Sequence, residues 1–319
     1  MAVQQISHTD VVTDRHKYIG GSDIAAIMGM SRWKTPLKLW AEKTQKLPMA
    51  DLSSIEAVEL GTDLEEFVAQ KFSQKTGKAV RRAPKEYTHK DYPYIHAHID
   101  RLVTGSEELL ECKTASFFKK DEWEDDEIPQ EYILQVMWYL GITGRKIGHI
   151  AVLIGGQSFK YKQIEFDAEL FNTMVEAAKE FWDCVQNDTP PAVMPDDDET
   201  LKDMYSDHSE FMIELYPDKE ENKVAMEALE EKIAYLQEIK AHQKNLEAER
   251  KEIETALKDI IKGNLGIKTL KYSITWKNQK GQYSYDKEAM QADGVFDKYA
   301  TQGINRVLRV NKNKDSEVA

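Results

Sequence analysis

From Ile19 onward the apolar positions of this chain switch between the three-four spacing of a helix and the two-step spacing of a strand. Two short helices are predicted first. They are "GGSDIAAIMGM", with Ser22 as N-cap after two glycines, and "TPLKLWAEKTQ", with Pro36 in a first turn where its missing N–H costs nothing. A long amphipathic helix follows in "SSIEAVELGTDLEEFVAQKFSQKTG": Leu60, Leu64, Phe67, Val68 and Phe72 repeat at helical spacing, and Gly77 stops it. The period then falls to two. "YIHAHIDRLV" and "EELLECKTA" read as strands, "PQEYILQVMWYLGITG" as a helix and "IGHIAVLIGG" as a buried strand with "SFKYKQIEF" as its edge hairpin partner. "DAELFNTMVEAAKEFWDCVQND" closes what reads as one α/β domain over residues 1–190.

The pattern then changes. "TPPAVMPDDDETL" sets three prolines before an acidic run and predicts a linker over 191–217. Over 218–262 Leu236, Ile239, Gln243, Leu246, Arg250, Ile253, Leu257 and Ile260 follow a coiled-coil seam with two polar interruptions; a long helix packed on its own domain is the other reading. Such a helix would reach on the order of 60 Å. Residues 263–319 predict a small hairpin in "LGIKTLKYSITWKNQKGQYSYD" and a basic, frayed end in "INRVLRVNKNKD".

Composition narrows the class. With 319 residues, 41% of them hydrophobic and 31% charged, the chain can bury a sizeable core beneath a solvated surface. It holds no run of roughly 20 apolar residues, and its first residues show neither a basic nor an apolar leader region, so no membrane contact and a cytoplasmic location are expected. Two cysteines cannot supply a disulfide framework or a four-thiolate metal site, which leaves oxygen ligands for any metal. The net charge of −13 divides as −7 over 1–190, −10 over 191–262 and +4 over 263–319. That balance argues against indiscriminate polyanion binding, while screening leaves room for a local basic channel.

The candidate chemistry lies in "HIDRLVTGSEELLECKTA". A period of two puts Leu109, Glu111 and Lys113 on one strand face and Leu110 and Cys112 on the other, with Asp100 on the preceding strand. Two carboxylates and an ammonium buried together must pair or bind a cation. Oxygen ligands suit Mg²⁺ or Mn²⁺, which can activate water at a phosphate while Lys113 orients the water or stabilises developing charge; the reaction class is phosphodiester hydrolysis. The rival is a surface hairpin with an ion pair, since this triplet also arises by chance. His96 and His98 read as hydrogen-bonded spacers rather than ligands, and Cys112 as a small buried hydrophobe rather than a nucleophile. Lys71, Lys75, Lys78, Arg81, Arg82 and Lys85, with Lys119 and Lys120, either line a channel for duplex backbone or form a solvated face. Trp33, Trp123 and Trp138 read as core or rim rather than base-stacking platforms, though Trp33 in "SRWKTP" can also stack on a displaced base.

The runs "YIGGSDIAAIMGMSRWKTPLKLWAEKT", "GTDLEEFVAQKF", "HIDRLV", "LLECKT" and "QEYILQVMWYLGITG" together resemble the YqaJ-type viral recombinase family, related to lambda-type exonucleases within the PD-(D/E)XK nuclease superfamily. The likeness covers about residues 15–190. It implies a mixed central sheet flanked by helices, as in restriction endonucleases. Asp100 and Glu111 match the metal-binding carboxylates, the carbonyl of Cys112 an added ligand, Lys113 the catalytic lysine and Glu65 the helical glutamate beside the metals. Gln135 and Tyr139 match the pair after the catalytic strand, and Ser22, with Arg15 or Arg32, the region that takes the terminal phosphate of a DNA end. Ile99 stands where the superfamily label has Pro, and no cysteine cluster of the iron–sulfur members is present.

The function this implies is a Mg²⁺-dependent exonuclease, with two ions, that resects one strand of double-stranded DNA ends 5′→3′ to leave 3′ tails. It implies phage or prophage recombination in a bacterial cytoplasm, a single-strand annealing protein as partner, and a homo-oligomer with a trimer as first expectation. Rival readings are an endonuclease of the same superfamily and a non-catalytic DNA-end or partner-binding protein on a nuclease fold.

Overall fold

The structure, a computed structural model, describes residues 14–49, 55–84, 86–125, 127–207, 211–213, 220–281 and 285–300. The chain divides into two units, Met1–Tyr205 and Ser206–Ala319.

In the first unit a 3-10 turn, Arg15–Lys17, leads to Ile19, which bridges to Ile95. Helix α1 (Gly21–Ile27) has Gly20 as its N-cap, not Ser22. The Gly20 N–H donates to the Asp23 carboxylate at 3.1 Å, so the aspartate reaching back satisfies the helix start and Ser22 lies within the first turn. Helix α2 (Pro36–Lys43) has the predicted proline and is capped by Thr35, whose hydroxyl accepts from Lys38 N at 3.1 Å. Helix α3 (Glu56–Thr76) ends at Gly77 in the left-handed region, φ 72°. Val68, Ala69 and Phe72 are its buried residues; Leu60 and Phe67 of the expected stripe stay exposed.

Strands β1 (Val80–Arg82), β2 (Tyr87–Thr88), β3 (His96–Ala97), β4 (Arg101–Val103) and β5 (Glu108–Ala115) follow. Helix α4 (Gln130–Thr143) then carries the chain across to β6 (Ile147–Ile154), with β7 (Ser158–Glu165) and helix α5 (Ala168–Gln186) after it. The main sheet runs β1-β4-β5-β6-β7 and is mixed: β5 and β6 are parallel over eight registered pairs, and the other neighbours are antiparallel. Parallel pairing needs a crossover, and α4 supplies it. The strand expected through "YIHAHIDRLV" is broken, because β3 pairs with β2 in a separate ribbon while β4 joins the main sheet. Asp100 lies in the gap.

The two sheet faces bury different cores. Leu109, Ile150, Val152 and Ile154 pack with α1, α2, α4 and α5, while Leu110, Ala151 and Leu153 pack under α3 with Cys112 against them. The two-step alternation of β5 is thus used in full. Trp123 and Trp138 are both buried.

The stretch expected as a linker from 191 is folded up to the end of this unit. A 3-10 turn (Pro195–Asp197) and helix α6 (Asp198–Met204) follow, with Asp197 and Thr200 buried. Asp197 accepts from Met194 N at 2.7 Å and from the Thr35 hydroxyl, which ties the acidic run to α2.

In the second unit, helix α7 (Glu220–Ile261) runs 42 residues, and Leu229, Ile239, Leu246, Ile253 and Ile260 are exposed along it. Among its described residues a hairpin of β8 (Gly266–Lys268) and β9 (Ser273–Thr275) and two short helices, α8 (Lys287–Ala292) and α9 (Phe296–Tyr299), follow. The basic end expected in "INRVLRVNKNKD" and the linker's last residues, 214–217, lie outside the described residues, as does Lys85. Among the described residues no helix is long and apolar enough to cross a membrane.

Candidate active site

The register of β4 against β5 pairs Arg101 with Leu110, so one step further the chain brings Asp100 opposite Glu111. Asp100 Oδ2 accepts from the Cys112 N–H at 2.8 Å, across the strand break. Glu111 is 3% exposed. Its Oε1 receives Lys113 Nζ at 2.6 Å and Gln135 Nε2 at 2.9 Å, while Oε2 is buried with no hydrogen-bond partner among the described residues.

Burial, then the charge of Glu111 and that of Glu65, push the Asp100 carboxyl well above the usual carboxylate range, against the pull of Lys113 and of the Cys112 N–H. Burial would lower the Lys113 pKa, but Glu111 and Asp100 outweigh it and hold the ammonium charged above its usual range. The Tyr132 ring lies 5.1 Å from Lys113 Nζ. Burial drives the Cys112 thiol pKa far up, and its side chain lies on the α3 side of the sheet, so it is a packed hydrophobe.

Helix α4 holds the site from beneath. Gln135 Nε2 also donates to the Tyr139 hydroxyl at 2.8 Å; residues four apart share a helix face, so one amide joins Glu111 to Tyr139. Tyr139 is buried, its pKa pushed up by burial and Glu111, and its ring lies against α1: a Cβ on Gly21 would meet Tyr139 Cε1 at 2.3 Å. Only glycine lets α1 approach this closely.

Glu65 is placed beside this group by α3, yet Arg101 engages its carboxylate. Arg101 is 4% exposed and also reaches Glu66 at 3.1 Å. Among the described residues no three His, Cys, Asp or Glu side chains are closed on one point as a finished metal cage. The pair Asp100 and Glu111 nevertheless fits a hard cation: its donors are oxygens, its carboxylates repel each other, and a buried carboxylate oxygen lacks a partner. A cleft of about 450 Å³ lined by Glu65, Glu66, Arg82, Ile99, Asp100 and Arg101, among others, opens onto it.

The expected DNA contacts divide. Arg15 Nη2 donates to Ser22 Oγ at 2.6 Å, which brings both beside α1 and Gly21. Arg32 is paired with Glu122 and Glu131 at 2.7 Å, and its guanidinium lies 5.5 Å from the Trp33 ring, which is 61% exposed. Lys119 pairs with Glu122 and Lys120 with Glu124, so these three cations already have acidic neighbours. Arg81 and Arg82 are exposed on β1. His96 Nε2 bonds the Pro93 carbonyl at 2.8 Å, as a spacer histidine would.

Sequence reading missed Arg101, although a lone arginine among apolar residues directly after Asp100 was a visible signal. It also missed Phe117 and Phe118, 63% and 92% exposed just past β5.

With this geometry in hand, the chain compares as follows. The model of the YqaJ-like viral recombinase domain matches residues 11–146. The uncharacterized protein YqaJ of Bacillus subtilis (strain 168) is 40% identical over 222 residues, covering 69% of this chain and 66% of that protein. The chain therefore carries a YqaJ-like viral recombinase domain over these residues. It spans 66% of the length of that relative. Among solved structures, an alkaline exonuclease (LHK-Exo) from Laribacter hongkongensis is 18% identical with a TM-score of 0.48, over 57% of this chain and 94% of the other. A phage related exonuclease from Haemophilus somnus 129PT is 15% identical with a TM-score of 0.38, over 54% and 96%.

Proposed function

We propose that this chain is a Mg²⁺- or Mn²⁺-dependent exodeoxyribonuclease that resects one strand of linear duplex DNA, 5′→3′, to leave 3′ tails for phage or prophage recombination. The observation that carries the reading is Glu111: buried, held through Oε1 by Lys113 and Gln135, and with Oε2 left without a partner beside Asp100. Asp100 and Glu111 would hold the cation, with the Cys112 carbonyl beside them. A bound divalent ion would supply Lewis acidity and a water of lowered pKa at the scissile phosphate.

The chain's own residues do the rest. Lys113, hydrogen-bonded to Glu111, serves to orient the attacking water or to stabilise the charge that develops on the phosphate. Gln135 fixes the rotamer of Glu111, and Tyr139 fixes Gln135. A second ion calls for Glu65 to exchange Arg101 for the metal. Arg15 and Ser22 take the terminal phosphate, Arg81, Arg82, Lys119, Lys120 and Arg32 the backbone, and Trp33 a base. A trimer, a single-strand annealing partner and a bacterial cytoplasm complete the reading.

The test uses linear duplexes with 5′-phosphate, 5′-hydroxyl and blocked ends, and a closed circle, each with Mg²⁺ or EDTA. Expected is metal-dependent loss of linear duplex alone, lost in Lys113→Ala and Glu111→Ala. Cutting of the circle would make the protein an endonuclease, and unchanged digestion by either variant would remove the proposal.

A further inference from the structure

Lys43 lies at the end of α2 with its side chain 1% exposed. An ammonium has three protons, and here each has an acceptor: the carbonyls of Arg15 and Tyr18, both at 2.6 Å, and Asp23 Oδ2 at 2.8 Å. Asp23, itself 3% exposed, receives Lys43, the Gly20 N–H at 3.1 Å and Arg15 Nη2 at 3.3 Å. One buried carboxylate thus faces two cations, and the group keeps one positive charge.

We infer that Lys43 and Asp23 are positioning residues for the DNA end. Lys43 pins the Arg15 turn by two of its carbonyls, and Asp23 aims the Arg15 guanidinium at Ser22. Lys43 also supplies the charge that keeps Asp23 from neutralising Arg15, so the guanidinium can receive a phosphate beside Gly21 and Tyr139. Without Lys43 the same carboxylate would cancel Arg15. This rests on the reading of Arg15 and Ser22 as holders of the terminal phosphate.

The experiment compares kcat/KM of the full chain with Mg²⁺ on linear duplexes ending in 5′-phosphate or 5′-hydroxyl. Lys43→Gln keeps N–H donors but no charge. It is expected to lower the phosphate-to-hydroxyl ratio about tenfold, as for one buried charge-assisted contact, with little change of kcat on the hydroxyl end. Asp23→Asn added to Lys43→Gln removes the opposing charge and is expected to restore most of the ratio, which a merely structural role would not do. Equal loss on both ends, an unchanged ratio, or a double variant no better than Lys43→Gln overturns the inference. If Lys43→Gln fails to fold while the double variant folds, the double variant's ratio decides: it must keep most of the wild-type ratio. Arg15→Ala separates the two levels: if it leaves the ratio unchanged, the phosphate reading itself fails, whereas loss there with none in Lys43→Gln overturns only the positioning role.

Discussion

At the scale of single residues, the site is a set of buried charges that need one another. Glu111 carries an unpartnered oxygen, so a divalent ion should bind the folded chain and raise its Tm. We expect Mn²⁺ or Mg²⁺ to do so in the wild type and not in Glu111→Gln, measured by thermal unfolding with and without EDTA. Arg101 holds Glu65 and Glu66 from a buried position. Arg101→Ala should cost about 2 kcal/mol in urea unfolding, since it strips two carboxylates, themselves partly solvated, of a buried partner.

Asp23 makes a pH prediction. Burial alone would raise its pKa, but Lys43 and Arg15 draw it down from 3.8 to about 2. A depressed carboxylate stabilises the fold above its unfolded pKa, and that share is lost as pH falls from about 4 through about 2. Asp23→Asn should therefore be less stable than wild type by about 2 kcal/mol at pH 6, with the gap closing across that window in denaturant titrations. A gap that stays constant down to pH 2 would rule out the linkage.

At the scale of elements, the site depends on close approach. Gly21 lets α1 touch Tyr139, and on α4 a Cβ at Gly141 would meet the Phe171 ring at 2.2 Å. Both glycine-to-alanine changes should cost about 1–3 kcal/mol through overpacking. Gly141→Ala should leave kcat little altered, because Phe171 on α5 belongs to the apolar core and not to the Asp100–Glu111 group. Gly21→Ala should also lower kcat by displacing Tyr139 and, through Gln135, Glu111.

The elements themselves were largely readable. The faces of β5 followed from its period of two, and Gly77 and Pro36 marked helix ends as their backbone chemistry requires. What failed did so for tertiary reasons. Ser22 lost the cap position to Gly20, which has the extended backbone and whose N–H Asp23 satisfies, and Leu60 and Phe67 stayed exposed because the sheet covers only the Val68 and Phe72 side of α3. The acidic run after Pro195 folded because Asp197 found Thr35, more than a hundred residues earlier.

At the scale of the whole molecule, the first unit contains both cores and every candidate site residue. A chain ending at Tyr205 is expected to unfold in a single transition and to keep metal-dependent digestion of linear duplex. Loss of α7, with its exposed Leu246, Ile253 and Ile260, should show instead in the assembly mass measured by light scattering, if the seam joins copies.

The amino-acid sequence by itself determined the order of helices and strands, the two faces of β5, and the residue types able to hold a hard cation, because these follow from local period and side-chain chemistry. Only the tertiary structure decided that the strand before Asp100 breaks and that Arg101 takes Glu65. It also decided that Lys43 and Asp23 hold Arg15. Each of these depends on which charges, far apart in the chain, are buried together, and a buried charge takes the nearest partner whatever its place in the sequence.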